Sequence, residues 1–316
     1  MKQVFLNDLL PIFVLLVFGY IAGARNRFTE DNALAFNKLV LNYALPAALF
    51  ISIVKTDRAM LFSDITLTLV STLILLIGFA ISFFSCLLLF KHSKQEASVA
   101  AMITGSPTVG VLGFAILDPV YGAGATTGIV VAIVAIIQHV IIIPFGIYLF
   151  HPADENGNKK HTNPVIAAIK EPIVIVPMIA IILVILGIKF PTVLDPSLNL
   201  IAYTKSGVAI FAAGITLSVY KLQLSKEVVY NTFLKLFVMP FLALLLGIMF
   251  NLQKEIIQML VLISALPSSI SGVIVGGRYQ TYLKIGTSSL AFSILFFALA
   301  APFWIMSSGY IIDWFY

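Results

Sequence analysis

The sequence predicts an all-α polytopic membrane protein, with ten transmembrane helices in two inverted five-helix repeats. Three observations carry this. The composition leaves no room for a soluble surface, apolar runs of bilayer length recur along the chain, and matched helix-breaking segments stand in the two halves. Of 316 residues, 60% are apolar and 10% charged, against roughly 25% charged in soluble domains. A lipid core of about 30 Å takes about 20 apolar residues per helix, and such runs recur from Leu9 almost to the C-terminus. Stretches such as 128–143 lack the apolar–polar alternation of a membrane β-barrel.

Breaks at charges, Gly and Pro give spans near 8–24, 34–54, 65–90, 97–117, 123–149, 171–188, 198–220, 228–250, 256–277 and 283–306. The first is closed by Arg25 and Arg27, a stop-transfer flank that sets aside Ala22-Gly23-Ala24 as a signal-peptidase site. The second carries Asn42, an amide that must find a partner on a neighbouring helix near Pro46. The third carries Cys86, the single cysteine, read as a small buried apolar residue. One cysteine excludes a disulfide framework and a cysteine metal site within the chain. The fifth holds Gln138 and His139. His139 is either a neutral ring bonded into the helix packing or a proton carrier. Lys205 and Lys235 lie a third of the way into spans seven and eight. They either snorkel to an interface or face a cavity, where they would attract an anion.

The fourth and ninth spans concentrate helix breakers at mid-membrane. They read Thr104-Gly105-Ser106-Pro107-Thr108-Val109-Gly110-Val111-Leu112-Gly113 and Ala265-Leu266-Pro267-Ser268-Ser269-Ile270-Ser271-Gly272. Proline removes a donor and clashes with the preceding turn, while Gly and Ser let the chain unwind. Unwound backbone is tolerated in a bilayer only where it is buried in protein or lines a cavity. Matched breaks in the two halves of a chain point to a transport site, whereas one alone reads as an ordinary kink with close glycine packing. Free amides at a half-helix N-terminus suit an anion, and Thr108, Ser268, Ser269 and Ser271 add hydroxyl donors without charge.

Prolines and a glycine recur across the two halves: Pro11 with Pro172, Pro107 with Pro267, Pro144 with Pro302 and Gly128 with Gly286, separated by 158 to 161 positions. The polar stretch 151–170 divides the chain into a first repeat, 1–150, and a second, 171–316. Five spans per half make the second copy inverted, the plan of many secondary transporters.

The order and spacing of several motifs resemble the auxin efflux carrier family, whose bacterial members include malate and malonate permeases. They are Gly19-Tyr20 before the basic turn Arg25 to Arg27, Asn37 through Pro46 to Phe50, Ser106-Pro107-Thr108 through Gly113 to Tyr121-Gly122, Gln138, and Ala265-Leu266-Pro267 running to Arg278-Tyr279. The resemblance covers nearly the whole chain. It implies two inverted five-helix repeats whose fourth and ninth spans cross as broken helices, with Pro107, Gly113, Pro267 and Gly272 shaping the crossover. Thr108, Gly110, Gln138, Ser268, Ser269 and Ser271 would then bind substrate, with Asn42 and His139 as polar partners. Plant members carry an asparagine where this chain has Thr108, and further prolines where it has Ala115 and Gly272.

The function expected is secondary transport of small organic anions such as malate, malonate or auxin-like acids, in a bacterial inner membrane. A membrane enzyme would need a nucleophile–base pair or acidic metal ligands, and the chain has no His-Glu-x-x-His, no paired intramembrane aspartates and no aspartate-rich loop. A receptor would need an output domain. No cofactor or metal is expected. Expected partners are the anion, the lipid bilayer and, as an assembly state, a second copy of the chain; the scattered basic clusters argue against nucleic acid. All 14 acidic residues fall near span ends or in loops, so no carboxylate-based proton or sodium site is expected.

Orientation follows from charge. Lys2, Lys55, Arg58, Lys189 and Lys254 lie on the side of the termini. Arg25, Arg27, Lys38, Lys91, Lys94, Lys159, Lys160, Lys170, Lys221, Lys226, Arg278 and Lys284 lie on the other, which is therefore cytoplasmic. A periplasm-active reporter fused after Tyr316 should be active and one inserted at Lys159 silent; the reverse pattern refutes the orientation.

Overall fold

The computed structural model describes residues 10–55, 65–150, 172–219, 223–278 and 281–315, so the linker 151–170 lies outside the described residues. Among those described, the regular elements are helices, joined at one point by an isolated antiparallel bridge. The chain runs α1 (Leu10–Ala24), α2 (30–54), α3 (Ile65–Leu89), α4 (Lys94–Thr104), α5 (Val109–Tyr121), α6 (125–150) and α7 (Pro172–Ile185). It continues α8 (Asp195–Ala202), α9 (Thr204–Val219), α10 (Lys226–Met249), α11 (Lys254–Ala265), α12 (Ile270–Arg278) and α13 (Leu283–Phe315).

Three of these, α3, α10 and α13, are long and apolar enough to cross a membrane by themselves. Span four divides into α4 and α5 and span nine into α11 and α12, where the breakers stand. Span seven, expected to be continuous, is interrupted at Tyr203, and the Thr204 hydroxyl donates back to the Ile201 carbonyl at 2.7 Å. α13 outruns its expected end and carries Pro302 inside it.

Helix starts follow local chemistry. α4 opens on a capping box, in which Ser93 Oγ accepts the Glu96 amide and the Glu96 carboxylate accepts the Ser93 amide. Ser225 caps α10 in the same way at the Val228 amide. Among the described residues, four helices contain a single π turn, at Val40–Ala44, Ser85–Leu89, Gln138–Ile142 and Leu234–Val238. These turns carry Asn42, Cys86, Gln138 with His139, and Lys235. A π turn inserts one residue and re-aims the side chains around it, a device concentrated at functional sites.

The helices pack in two groups. α2 packs against α7, α8 and α9, and α1 lies along α9. α3, α4, α6, α10, α11, α12 and α13 pack among themselves, with α5 joining them through α6 and α11. The groups meet where α9 touches α5 and α2 touches α6. The α1–α9 contact is made by glycines: a Cβ on Gly19 would overlap the Phe211 carbonyl, and one on Gly214 would overlap the backbone of Leu16. Between helices that gain nothing from the hydrophobic effect in lipid, such close approach supplies van der Waals contact.

Gly214→Ala should therefore push the two helices apart and cost about 1–3 kcal/mol, read as a lower melting temperature of the detergent-solubilised protein. Gly207→Ala on the same helix meets only Leu15 Cδ2, at 3.9 Å, and should leave the melting temperature unchanged or slightly raised.

Candidate functional site

The two breaks meet. Pro107 and Ser268 form the antiparallel bridge. Around it the Thr108 amide donates to the Pro267 carbonyl at 2.9 Å and the Ser269 amide to the Ile103 carbonyl at 2.8 Å. The Thr108 hydroxyl donates to the Ser268 carbonyl at 2.7 Å and accepts the Ile270 amide at 3.0 Å, which caps α12. Ser268 donates its amide to Ser293 Oγ at 3.0 Å, and Gln138 Nε2 donates to Ser269 Oγ at 3.1 Å. Amides released by each break are thus bound by the other break or by α13, as burial in an apolar medium requires, and Gln138 of α6 holds the Ser269 hydroxyl. Glycine makes the approach possible: a Cβ on Gly272 would lie 2.6 Å from the Met102 carbonyl carbon.

Of the residues singled out in the sequence, the structure brings together Pro107, Thr108, Gln138, Pro267, Ser268, Ser269 and Gly272. Gly110 and Gly113 are buried in the first turns of α5, and Ser271 lies in α12 with its side chain outside the described set. His139 points its Nδ1 at the Ala135 carbonyl, 2.8 Å away in its own helix. Asn42 stands in the π turn of α2, which packs on α7, α8 and α9 and touches α5. The snorkelling reading of Lys235 is corrected: the side chain is 1% exposed and its Nζ donates to the Ser264 carbonyl at 2.9 Å. The Lys205 side chain lies outside the described set.

The hydroxyls of Thr104, Ser106 and Ser268 and the Gln138 Oε1 are buried without a hydrogen-bond partner in the protein. So is the hydroxyl of Ser71, which with Pro107 and Ser264 lines a cavity of about 10 Å³, room for about one water. The breaks are therefore closed in this conformation. A larger cleft of about 340 Å³ lies between the two helix groups, lined by Ala48, Ile51 and Lys55 of α2 and its end, Phe114 and Asp118 of α5, residues 123–125, and Asn199, Ala202 and Tyr203. Lys55 pairs with Asp195 at 2.8 Å beside it. Phe114 lies about 9 Å along α5 from Thr108.

A second polar cluster, announced by no motif in the sequence, sits where α3 ends and α10 begins. Glu227, placed by sequence at a span end, is only 6% exposed. Its carboxylate accepts the Tyr282 hydroxyl at 2.6 Å and lies 2.8 Å from His92 Nε2. Asn231 Nδ2 donates to Tyr282 OH at 3.0 Å and to Ser289 Oγ at 3.2 Å. Tyr282 holds a left-handed backbone, φ 58°, which a bulky side chain adopts only when its surroundings enforce it. Cys86 is buried as expected, yet its Sγ lies within 4.8 Å of ligand atoms of His92 and Glu227. Counting cysteines does not exclude mixed donors that folding brings together. Burial opposes the charged form of His92, but the hydrogen bond and charge of Glu227, with Glu96 beside it, outweigh burial and hold its pKa above the ordinary value.

Helices of bilayer length, paired mid-helix breaks and a cleft between two helix groups define a membrane transport protein. The chain belongs to the membrane transport protein family, the auxin efflux carriers, whose model matches residues 4–305. It is similar to the uncharacterized transporter YfdV of Escherichia coli strain K12, 51% identical over 310 residues, 98% of this chain and 99% of that one. The YfdV proteins of Escherichia coli O157:H7 and Shigella flexneri match at the same 51% identity and coverage. It is a multi-pass membrane carrier and not an enzyme.

Two outcomes follow. Thr108→Val removes a donor and an acceptor from the pairing and should cost about 1–3 kcal/mol of stability, whereas Thr108→Ser should restore the wild-type melting temperature. Because the His92 pKa is raised on folding, its contribution is full below the unfolded value of about 6.5 and fades as pH rises through the folded value. Melting temperature should fall across that interval in the wild type, and His92→Gln should flatten the dependence.

Proposed function

We propose that this carrier moves small organic anions, carboxylates of the malate or malonate class, by alternating access. The observation that carries the reading is the backbone pairing of the breaks at 105–108 and 266–269, ringed by buried hydroxyls and an amide oxygen without partners. Ten spans in two inverted repeats, 1–150 and 171–316, account for two such breaks facing each other. Thr108, Gly110, Gln138, Ser268, Ser269 and Ser271 form the anion site. The unpartnered hydroxyls, with the Gln138 amide once it turns from Ser269, are donors without net charge, which bind a carboxylate and still release it. The cleft between α2, α5, α6 and α8 is the approach from the side of the termini, with both termini extracytoplasmic. The chain resides in the bacterial inner membrane, with paired copies as the assembly.

With no acidic side chain at the centre of a span, the membrane potential drives the anion outward. One elementary charge across 100 mV supplies roughly 2.3 kcal/mol, about fiftyfold accumulation. Proton coupling is the second reading, favoured by the buried Glu227 bonded to His92.

Proteoliposomes preloaded with labelled malate or malonate decide between them. Potential-driven flux at fixed pH that persists in His139→Gln and Glu227→Gln supports the uncoupled carrier. Strict dependence on a proton gradient with the potential clamped, lost in Glu227→Gln, supports coupling. Unchanged substrate affinity in both Ser269→Ala and Gln138→Ala places the anion site elsewhere.

A further inference from the structure

The end of α11 poses an electrostatic problem that Lys235 answers. In an unbroken helix the Ser264 carbonyl would receive the amide of residue 268 and the Ala265 carbonyl that of residue 269. Here the Ser268 amide donates to Ser293 Oγ and the Ser269 amide to the Ile103 carbonyl, while the Ile263 carbonyl, which Pro267 cannot serve, takes the Leu266 amide at 3.1 Å. The last turn therefore ends in carbonyls without their helical partners, at the negative end of the helix dipole and inside the protein. The Ser264 carbonyl receives the Lys235 ammonium at 2.9 Å. That ammonium stem leaves the π turn of α10 between Leu234 and Leu236, both buried. The described ion pairs are Lys55–Asp195, His92–Glu96, His92–Glu227 and Lys254–Asp313, so Lys235 is in none of them.

Carbonyl oxygens at a half-helix C-terminus are the groups with which broken-helix carriers hold a free alkali cation. A buried ammonium placed against them satisfies the same field from a group tethered to the chain. We propose that Lys235 is a tethered cation, filling from within the chain a monovalent-cation site at the end of α11, so that the crossing breaks are assembled without Na⁺. Its consequence for transport rests on the anion-carrier reading: one fixed positive charge lies behind the anion site, and no co-ion is needed to complete it. The cation site itself does not depend on which substrate is carried.

The experiment uses the full-length protein purified in detergent and reads melting temperature in NaCl, KCl, choline chloride and ethylammonium chloride at equal ionic strength. Wild type should melt at the same temperature in all four, because its site is already filled. Lys235→Ala, which opens both the charge and the stem volume, should melt several degrees lower in choline and recover most of the loss in Na⁺ or ethylammonium, by mass action. Lys235→Met, which keeps the stem and removes the charge, should melt below wild type in every salt. If Lys235→Met is as stable as wild type and Lys235→Ala is indifferent to the cation, the side chain is packing and the proposal is overturned. It is equally overturned if neither neutral variant folds in any salt, since no free cation then substitutes for the ammonium, or if Na⁺ alone raises the wild-type melting temperature. None of these readouts requires transport, so failure of the anion assay and failure of this site are separable.

Discussion

Backbone N–H and C=O groups released inside a membrane protein have no water to turn to, and the pairing of 105–108 with 266–269 is where this chain meets that constraint. Each break costs several helical hydrogen bonds, and unsatisfied groups in hydrocarbon cost several kcal/mol apiece. The Thr108 amide to Pro267, the Ser269 amide to Ile103 and the doubly bonded Thr108 hydroxyl return those bonds across the crossing. Much else in the structure is arranged around this. Gly272 lets the backbones approach, Gln138 holds Ser269, and Ser293 of α13 takes the Ser268 amide.

The same constraint explains why polar residues at the crossing stay uncharged. A hydroxyl or amide oxygen left without a partner tolerates burial far better than a carboxylate does. Thr104, Ser106, Ser268 and Gln138 are therefore available to a ligand without obliging one to be present. Among the described residues, the buried Lys235 and Glu227 each stand against partners, Lys235 at a helix C-terminus and Glu227 beside His92 and Tyr282. Both sit on or beside α10, which links the crossing to the polar cluster at the helix ends.

The π turns supply the local geometry. In α2, α3, α6 and α10 the inserted residue falls beside Asn42, Cys86, Gln138 and Lys235. In an apolar helix a polar side chain must be aimed at its partner, and one extra residue per turn rotates it without breaking the helix. This is a feature of packing, and no residue type in those segments announces it.

The sequence by itself determined that the chain is helical and lipid-embedded, where spans four and nine break and which hydroxyls stand at those breaks, because composition, hydrophobic length and proline chemistry are local properties. Family membership was legible for the same reason, in motifs such as Ser106-Pro107-Thr108 and Ala265-Leu266-Pro267. Tertiary structure decided that Thr108 reaches across to Ser268 and Ile270, that Lys235 turns inward to Ser264, and that Glu227 is buried with His92 and Tyr282. Those contacts join residues separated by 29 to 162 positions. A charge one-third into a span has two outlets, the interface or a buried carbonyl, and hydropathy cannot choose between them. Only the location of the freed carbonyl at the end of α11 makes the inward one the lower in free energy.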